Sequence, residues 1–188
     1  EAWKSRPLFL FNFHQYIITK KSIKITRFHG NFTNSGIASI YYRSDSGYDN
    51  KESSDGWSFV GSANVSTGSN KDYSIDMDVT IPKSNRYGFL VINSNGMRYT
   101  DGNDVSDVHT ENSDLQILEG YGVNYPGFGQ TTYEPRIVNL RMVYSVIEDP
   151  DPPIITAPLG TIITSNTTPT IIGTVSVQST VNVFAEGS

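Results

Sequence analysis

The chain contains no cysteine among its 188 residues. That absence excludes disulfide staples, thiolate nucleophiles and cysteine-ligated zinc or iron–sulfur sites. It leaves the compartment open, because an oxidising environment permits disulfides without requiring them, and a large core holds a domain together unaided. Charge is scarce as well: 18% of the residues are charged, and the formal net charge is −5. Phosphate recognition relies on clustered Lys and Arg, so this balance argues against a nucleic-acid partner. The one basic cluster, Lys20, Lys21, Lys24 and Arg27, alternates with apolar residues and reads as the solvated face of a strand. Long apolar runs are missing too. The most apolar early stretch, Pro7 to Phe13, is too short to span a bilayer and has no small-residue cleavage site after it, so it reads as a strand and no membrane insertion is expected.

What is abundant is the vocabulary of β-structure: β-branched and aromatic residues, 11 of them Tyr, with many turn formers and no sustained helical periodicity. The clearest pattern runs from Asp72 to Tyr99. Tyr73, Ile75, Met77, Val79 and Ile81 alternate with Ser74, Asp76, Asp78 and Thr80, the signature of a half-exposed strand. Pro82 to Asn85 supplies a turn, and Arg86 to Asn93, apolar on nearly both faces, reads as the buried, central partner of a hairpin. Further strands are expected at Ile23–Phe28, Ile37–Arg43, Trp57–Val60, Met97–Thr100, Asp114–Glu119 and Arg136–Ile147. The first twenty residues are expected to pair at a sheet edge. Loops are expected at His29–Gly36, Ser44–Gly56, Gly61–Lys71, Asp101–Asp107 and the glycine-rich Gly120–Gly129. About eight to ten strands separated by turn signals predict an all-β, two-sheet β-sandwich, jelly-roll-like, over residues 1–147. The prolines of Glu148-Asp-Pro-Asp-Pro-Pro153 mark a linker over 148–153. Beyond it, Thr161–Thr164, Pro169–Gly173 and Val181–Phe184 read as strands, and about 35 residues are too few to close a sandwich of their own.

Catalytic patterns are thin. His14, His29 and His109 sit in no metal-ligand spacing, and no nucleophile elbow or phosphate-binding glycine loop occurs. A glycosidase needs only two carboxylates brought together by the fold, but nothing selects a pair. The expectation is therefore a non-enzymatic protein that requires no cofactor. Calcium is the one ion the residues suggest: Asp101, Asn103, Asp104 and Asp107 place hard oxygen ligands in one loop, beside a glycine that lets the backbone turn in. Asp45, Asp49 and Asp55 make a weaker second set. For carbohydrate stacking the candidates are loop aromatics, chiefly Tyr125 and Phe128; Tyr41, Tyr48 and Tyr121 also lie in or beside loops, and Trp57 reads as core.

Several motifs carry a resemblance. "IASIYYR" (37–43), "DGWSFVGSANV" (55–65), "VTIPKSNRYGFLVINSNGMRYTDG" (79–102) and "DLQILEGYGVNYPGFG…YEPRIVNLRMVYS" (114–145) occur in the order seen in a β-rich module of large secreted and cell-surface proteins, mostly bacterial. Residues of about 20–147 resemble that module. Residues 153–188, with "PTIIGT" (169–174) before "VNVF" (181–184), resemble the first half of a bacterial immunoglobulin-like repeat, so 154–188 reads as an incomplete immunoglobulin-like β segment. The resemblances imply an extracellular or cell-surface, non-catalytic module with a structural or adhesive role. The partners implied are other protein modules or subunits, including strand pairing at residues 160–188, and surface glycans. The same residues admit a sugar- or calcium-binding accessory module of a secreted enzyme, or a virion-surface protein.

Overall fold

The computed structural model describes residues 11–44, 52–65, 71–148, 154–157 and 172–174. The chain divides into two compact units, Glu1–Ile147 and Glu148–Ser188. The first is an all-β sandwich with, among the described residues, eleven strands: β1 (Phe11–Thr19), β2 (Ile23–Phe32), β3 (Gly36–Arg43), β4 (Ser58–Val65), β5 (Lys71–Ile81), β6 (Arg86–Asn93), β7 (Tyr99–Asp101), β8 (Val108–Glu111), β9 (Leu115–Asn124), β10 (Thr132–Val138) and β11 (Leu140–Val146). Eight strands form one antiparallel sheet in the order β4-β3-β6-β1-β9-β10-β7, with β8 beside the first half of β9; the other sheet is β11-β2-β5. In the second unit, β12 (Ile154–Ala157) pairs antiparallel with β13 (Ile172–Thr174). The strands expected at Thr161–Thr164 and Val181–Phe184 lie outside the described residues, as does most of the 148–153 linker and of the proposed pairing segment 160–188.

The core lies between the sheets. Ile23, Ile25 and Phe28 of β2 and Ile75, Val79 and Ile81 of β5 meet Ala38, Ile40, Phe89 and Val91 of the large sheet, all buried. Each such side chain contributes roughly 1.5–3 kcal/mol on burial. The outer face of the small sheet carries Lys24 and Arg27 of the expected basic cluster, whereas Lys20 and Lys21 fall in the turn between β1 and β2. Lys24 Nζ lies 2.9 Å from Asp78 Oδ1, and Arg27 Nη2 lies 2.6 Å from Asp76 Oδ1. These exposed pairs contribute about 0–1 kcal/mol each.

Several boundaries differ from the sequence reading, each for a physical reason. β5 and β6 form no hairpin: β5 edges the small sheet and β6 lies inside the large one, so Pro82–Asn85 carries the chain across the sandwich. Their apolar faces meet through the core instead of lying side by side. β1 is one interior strand between β6 and β9, not an edge pair, because Tyr16 on one face and Ile17 on the other are both buried. β2 runs on through His29–Phe32, where a loop is expected. A bulge at Thr26 shifts the alternation, so Phe28 and Phe32 continue the buried face begun by Ile23 and Ile25. β4 likewise continues to Val65 and β9 to Asn124, through the glycine-rich segment. The long final strand breaks at Asn139, where the chain leaves the large sheet as β10 and enters the small one as β11.

Thr19, 2% exposed, ends β1 at the point where two crossings between the sheets converge. Its hydroxyl donates to the Pro82 carbonyl at 2.6 Å and accepts from the Asn85 N–H at 3.2 Å. Its backbone N–H donates to the Asn85 carbonyl, and its carbonyl accepts from the Ser84 N–H, each at 3.0 Å. Ser84, at φ 61, completes the turn. Next to it, Lys20 and Lys21 N–H groups donate to the Asp114 carbonyl, and Ser22 takes N–H groups from Lys83 and Ile147. The Lys21 ammonium stands 3.0 Å from Asp114 Oδ1, and Tyr144 donates its hydroxyl to Asp114 Oδ2 at 3.1 Å. Burial raises the Tyr144 phenol, so it stays protonated as a donor.

Replacing Thr19 by Val keeps the shape but leaves the Asn85 N–H without its acceptor. A loss of about 1–3 kcal/mol is expected, read as a lower urea midpoint, with Thr19→Ser close to wild type. A second expectation concerns acid. The Lys21 ammonium, and after it the Ser113 hydroxyl, hold the Asp114 carboxyl below its ordinary value. Lys20, then Gln116, do the same for Glu111. Both carboxyls have folded-state pKa values below their unfolded ones. They therefore contribute stability above about pH 4 and lose it as the pH falls through the depressed folded values. A Lys20→Ala/Lys21→Ala variant should show a shallower loss of stability below that pH than wild type, measured by urea unfolding at stepped pH.

Candidate functional site

The Asp101–Asp107 loop is built around a residue the sequence reading passed over. Glu119, on β9, is 3% exposed, and its Oε2 accepts backbone N–H groups from Asn103 at 2.5 Å and Asp104 at 3.2 Å. Its own carbonyl takes the Ser106 N–H at 3.0 Å, and its N–H donates to the Asp107 carbonyl at 2.7 Å. The loop therefore turns donors inward onto an anion that the chain itself provides, the reverse of the carbonyl and carboxylate lining a calcium loop presents. Gly102 is what permits this, since a Cβ there would collide with Glu119 Oε2.

The side chains of Asn103, Asp104 and Asp107 belong to exposed residues, and the Asp101 carboxylate lies 3.1 Å from Arg136 Nη1 across the β7–β10 pair. The Asp101 side chain is thus engaged with Arg136, while the backbone of Asn103, Asp104, Ser106 and Asp107 closes on Glu119. Among the described residues, no three His, Asp or Glu side chains gather as a metal-ligand set. Of the weaker set, Asp45 and Asp49 lie outside the described residues, and the Asp55 carbonyl accepts from Arg43 Nη1 at 2.6 Å.

The aromatic candidates converge on the outer face of the large sheet. Leu90 and Ile92 of β6 and Val123 of β9 point away from the inter-sheet core, opposite Phe89 and Val91. Tyr41, Trp57 and Phe128 cover them. Phe128 meets Tyr41 edge to face at 5.4 Å and Trp57 at 5.7 Å. Gly127, at φ 114, brings the loop down onto Ile92, where a Cβ would come within 2.7 Å of Cδ1. Phe128 is therefore half-buried packing. Tyr125, at the tip of the turn closed by the Gly127 N–H to Asn124 carbonyl bond, is 49% exposed. Trp57, expected in the core between the sheets, lies half-buried in this outer cluster because it precedes β4 on the outward side. Tyr121 is fully buried, and Tyr48 lies outside the described residues.

The row of aromatics continues to a residue absent from the expected set. Phe59 of β4 stands 5.2 Å from Tyr41, its cross-strand neighbour, and is 58% exposed. Beyond it on the same face come Ser39 opposite Ser62, then Ile37, 55% exposed, opposite Asn64. Phe59, Tyr41, Phe128 and Trp57 thus form a connected strip whose outer end is open to solvent and flanked by hydroxyl and amide groups. The alternation of Trp57-Ser-Phe59 was a signal that these rings share a face, but only the pairing with Tyr41 shows which face it is. A bulge at Val60 puts Phe59 there, and no periodicity reveals a bulge.

His109 and Thr110 of β8 form one wall of a crevice of about 100 Å³ between the sheets, otherwise lined by apolar residues such as Ile17, Phe28, Phe89 and Met142. Comparison with protein-family models, curated proteins and solved structures finds no match for this chain.

Glu119→Ala strands the inward N–H groups of Asn103 and Asp104, and should cost about 1–3 kcal/mol in urea unfolding. Gly102→Ala should destabilise in the same direction by displacing the carboxylate. In the double variant the second substitution should cost far less than it does alone, because both act on one contact.

Proposed function

We propose that this chain is a non-catalytic β-sandwich module of an extracellular or cell-surface, multi-domain protein, with an adhesive role exerted on surface glycans. The observation that carries this reading is the open end of the aromatic strip on β3 and β4. An exposed ring backed by packed rings is a rigid stacking surface. The Ser39, Ser62 and Asn64 side chains beside it match the mixed apolar and hydroxyl faces of a sugar. The ring pays little entropy on binding, since Tyr41 already holds it from one side.

The acidic residues support the non-catalytic part of the reading by what they are engaged in. Glu119 organises a loop, Asp114 and Glu111 hold the crossing end of the sandwich, and Asp76 and Asp78 pair across the small sheet. The resemblance of residues 20–147 and 153–188 to modules of secreted proteins points to the same setting. An accessory sugar-binding module of a secreted enzyme is the second reading, and the same strip favours it.

Retention on immobilised polysaccharides and a glycan array tests the surface. Wild-type protein should be retained, and Phe59→Ala should lose at least about tenfold in affinity at an unchanged melting temperature, as an exposed contact ring does when truncated. Binding that survives both Phe59→Ala and Tyr41→Ala would contradict it, and so would the absence of any glycan bound by wild type.

A further inference from the structure

We infer that the crevice between β8 and β11 is a binding site for one neutral aromatic ring carrying a hydroxyl group, a phenol-type small molecule. Its floor is laid by Ile17, Phe28 and Phe89, all buried in the core. Its rim is open, since His109 and Thr110 are exposed and Leu140 and Met142 are half-buried. Both ends are closed by the chain. At one, the Tyr144 hydroxyl accepts from Asn112 Nδ2 at 2.8 Å and donates to Asp114 Oδ2 at 3.1 Å, tying β11 to the β8–β9 turn. At the other, the chain crosses between the sheets at Asn139, and Val138 and Leu140 on either side of it line the crevice.

The strand pairing shows which polar groups look in. Thr110 stands opposite Ile117 of β9, and Ile117 opposite Ile17 of β1, so the three share the face turned toward the small sheet. The register shifts between Val108 and Thr110, which leaves His109 as the extra residue of a bulge at the rim. One hydroxyl and one imidazole thus stand over an otherwise apolar slot.

Size, charge and shape select the ligand. The crevice encloses about 100 Å³. Pockets for drug-sized molecules run to about 300–1,000 Å³, whereas an apolar cavity of about 150 Å³ takes benzene. There is room for one ring, and none for a lipid tail or a fused ring system. No Lys, Arg, Asp or Glu lines the crevice, so an ionised ligand would lose its hydration without meeting a counter-charge. The floor favours an aromatic ring over a saturated one. Phe28 and Phe89 meet edge to face at 5.4 Å, and Met142 is the cross-strand neighbour of Phe28. A third ring extends that edge-to-face arrangement, and its edge suits the thioether sulfur. With the ring on the floor, its hydroxyl comes up to Thr110 Oγ1.

Methyl-detected NMR spectra of the full chain, titrated with phenol, benzene and cyclohexanol, test this. Phenol should shift the Met142, Leu140 and Ile117 methyl signals saturably. Benzene lacks the hydroxyl and cyclohexanol the aromatic ring, and each should bind roughly threefold to tenfold more weakly. Thr110→Val should bring phenol down to the affinity of benzene and leave benzene unchanged. Met142→Trp, which fills the slot, should abolish both. Phe59→Ala, on the outer face of the large sheet, should alter neither, which separates this site from the aromatic strip. The absence of a saturable phenol shift overturns the inference, and so does phenol binding that survives Met142→Trp. Benzene binding as tight as phenol's in wild type also overturns it. So does phenol binding that Thr110→Val leaves unchanged, an arm that decides the matter even where Met142→Trp fails to fold.

Discussion

Thr19 joins two of the places where the chain passes between the sheets, and the placement of the strands on either side of them depends on it. The β1-to-β2 crossing leaves from its own carbonyl end, and the β5-to-β6 crossing folds over its hydroxyl. Both strands that arrive from the large sheet, β1 and β6, are interior strands, and both that belong to the small sheet, β2 and β5, are neighbours there. One buried hydroxyl thus sets the relative placement of four strands. A crossing has no hairpin ladder of its own to hold it, so its backbone groups need side-chain partners. Ser22, Asp114 and Tyr144 supply the next ones outward, which makes this end of the sandwich a polar lid over an apolar core.

The size difference between the sheets has a consequence for the surface. A three-stranded sheet cannot cover both faces of an eight-stranded one, and the large sheet is apolar on its outer side as well. Tyr16, Leu118 and Tyr121 are buried there, with the Arg86 guanidinium 4.6 Å over the Tyr16 ring, and Leu90, Ile92 and Val123 are roofed by Trp57 and Phe128. Loops that look free in the sequence are in fact the roof. The glycine- and aromatic-rich segment after β9 packs closely over Ile92 through Gly127, and Gly102 of the acidic loop after β7 makes room for closure on Glu119.

Period-two alternation made the fold class and most strands legible, because a strand with one buried face writes that face into every second residue. What alternation cannot convey is which strands are neighbours. Ile81-Pro82…Arg86 is compatible with a hairpin and with a crossing, and the choice is made by Thr19, distant in sequence. Bulges are equally silent: one at Thr26 prolonged β2 through a segment rich in turn formers, and one at Val60 turned Phe59 outward. For the candidate sites, Tyr125 was recognisable as an exposed loop aromatic. Glu119 was not recognisable as a loop organiser, because a single carboxylate between Leu118 and Gly120 looks the same whether it faces water or a ring of amides.

Where, then, does a scaffold this committed leave room for recognition? Groups that are satisfied internally have little left to offer a partner. The loop donors are spent on Glu119, the carboxylates of Asp76, Asp78, Asp101, Glu111 and Asp114 on Lys and Arg, and Phe128 on its neighbours. The side chains of β3 and β4 that face outward past Tyr41 lack such commitments: Phe59 and Ile37 are exposed, and Ser62 and Asn64 share that face with them. That strip lies beyond the reach of the roof over Leu90 and Ile92. The face we propose for glycans is therefore the region where the internal packing ends. A ligand stacked on the face needs the ring of Phe59 and leaves the backbone alone.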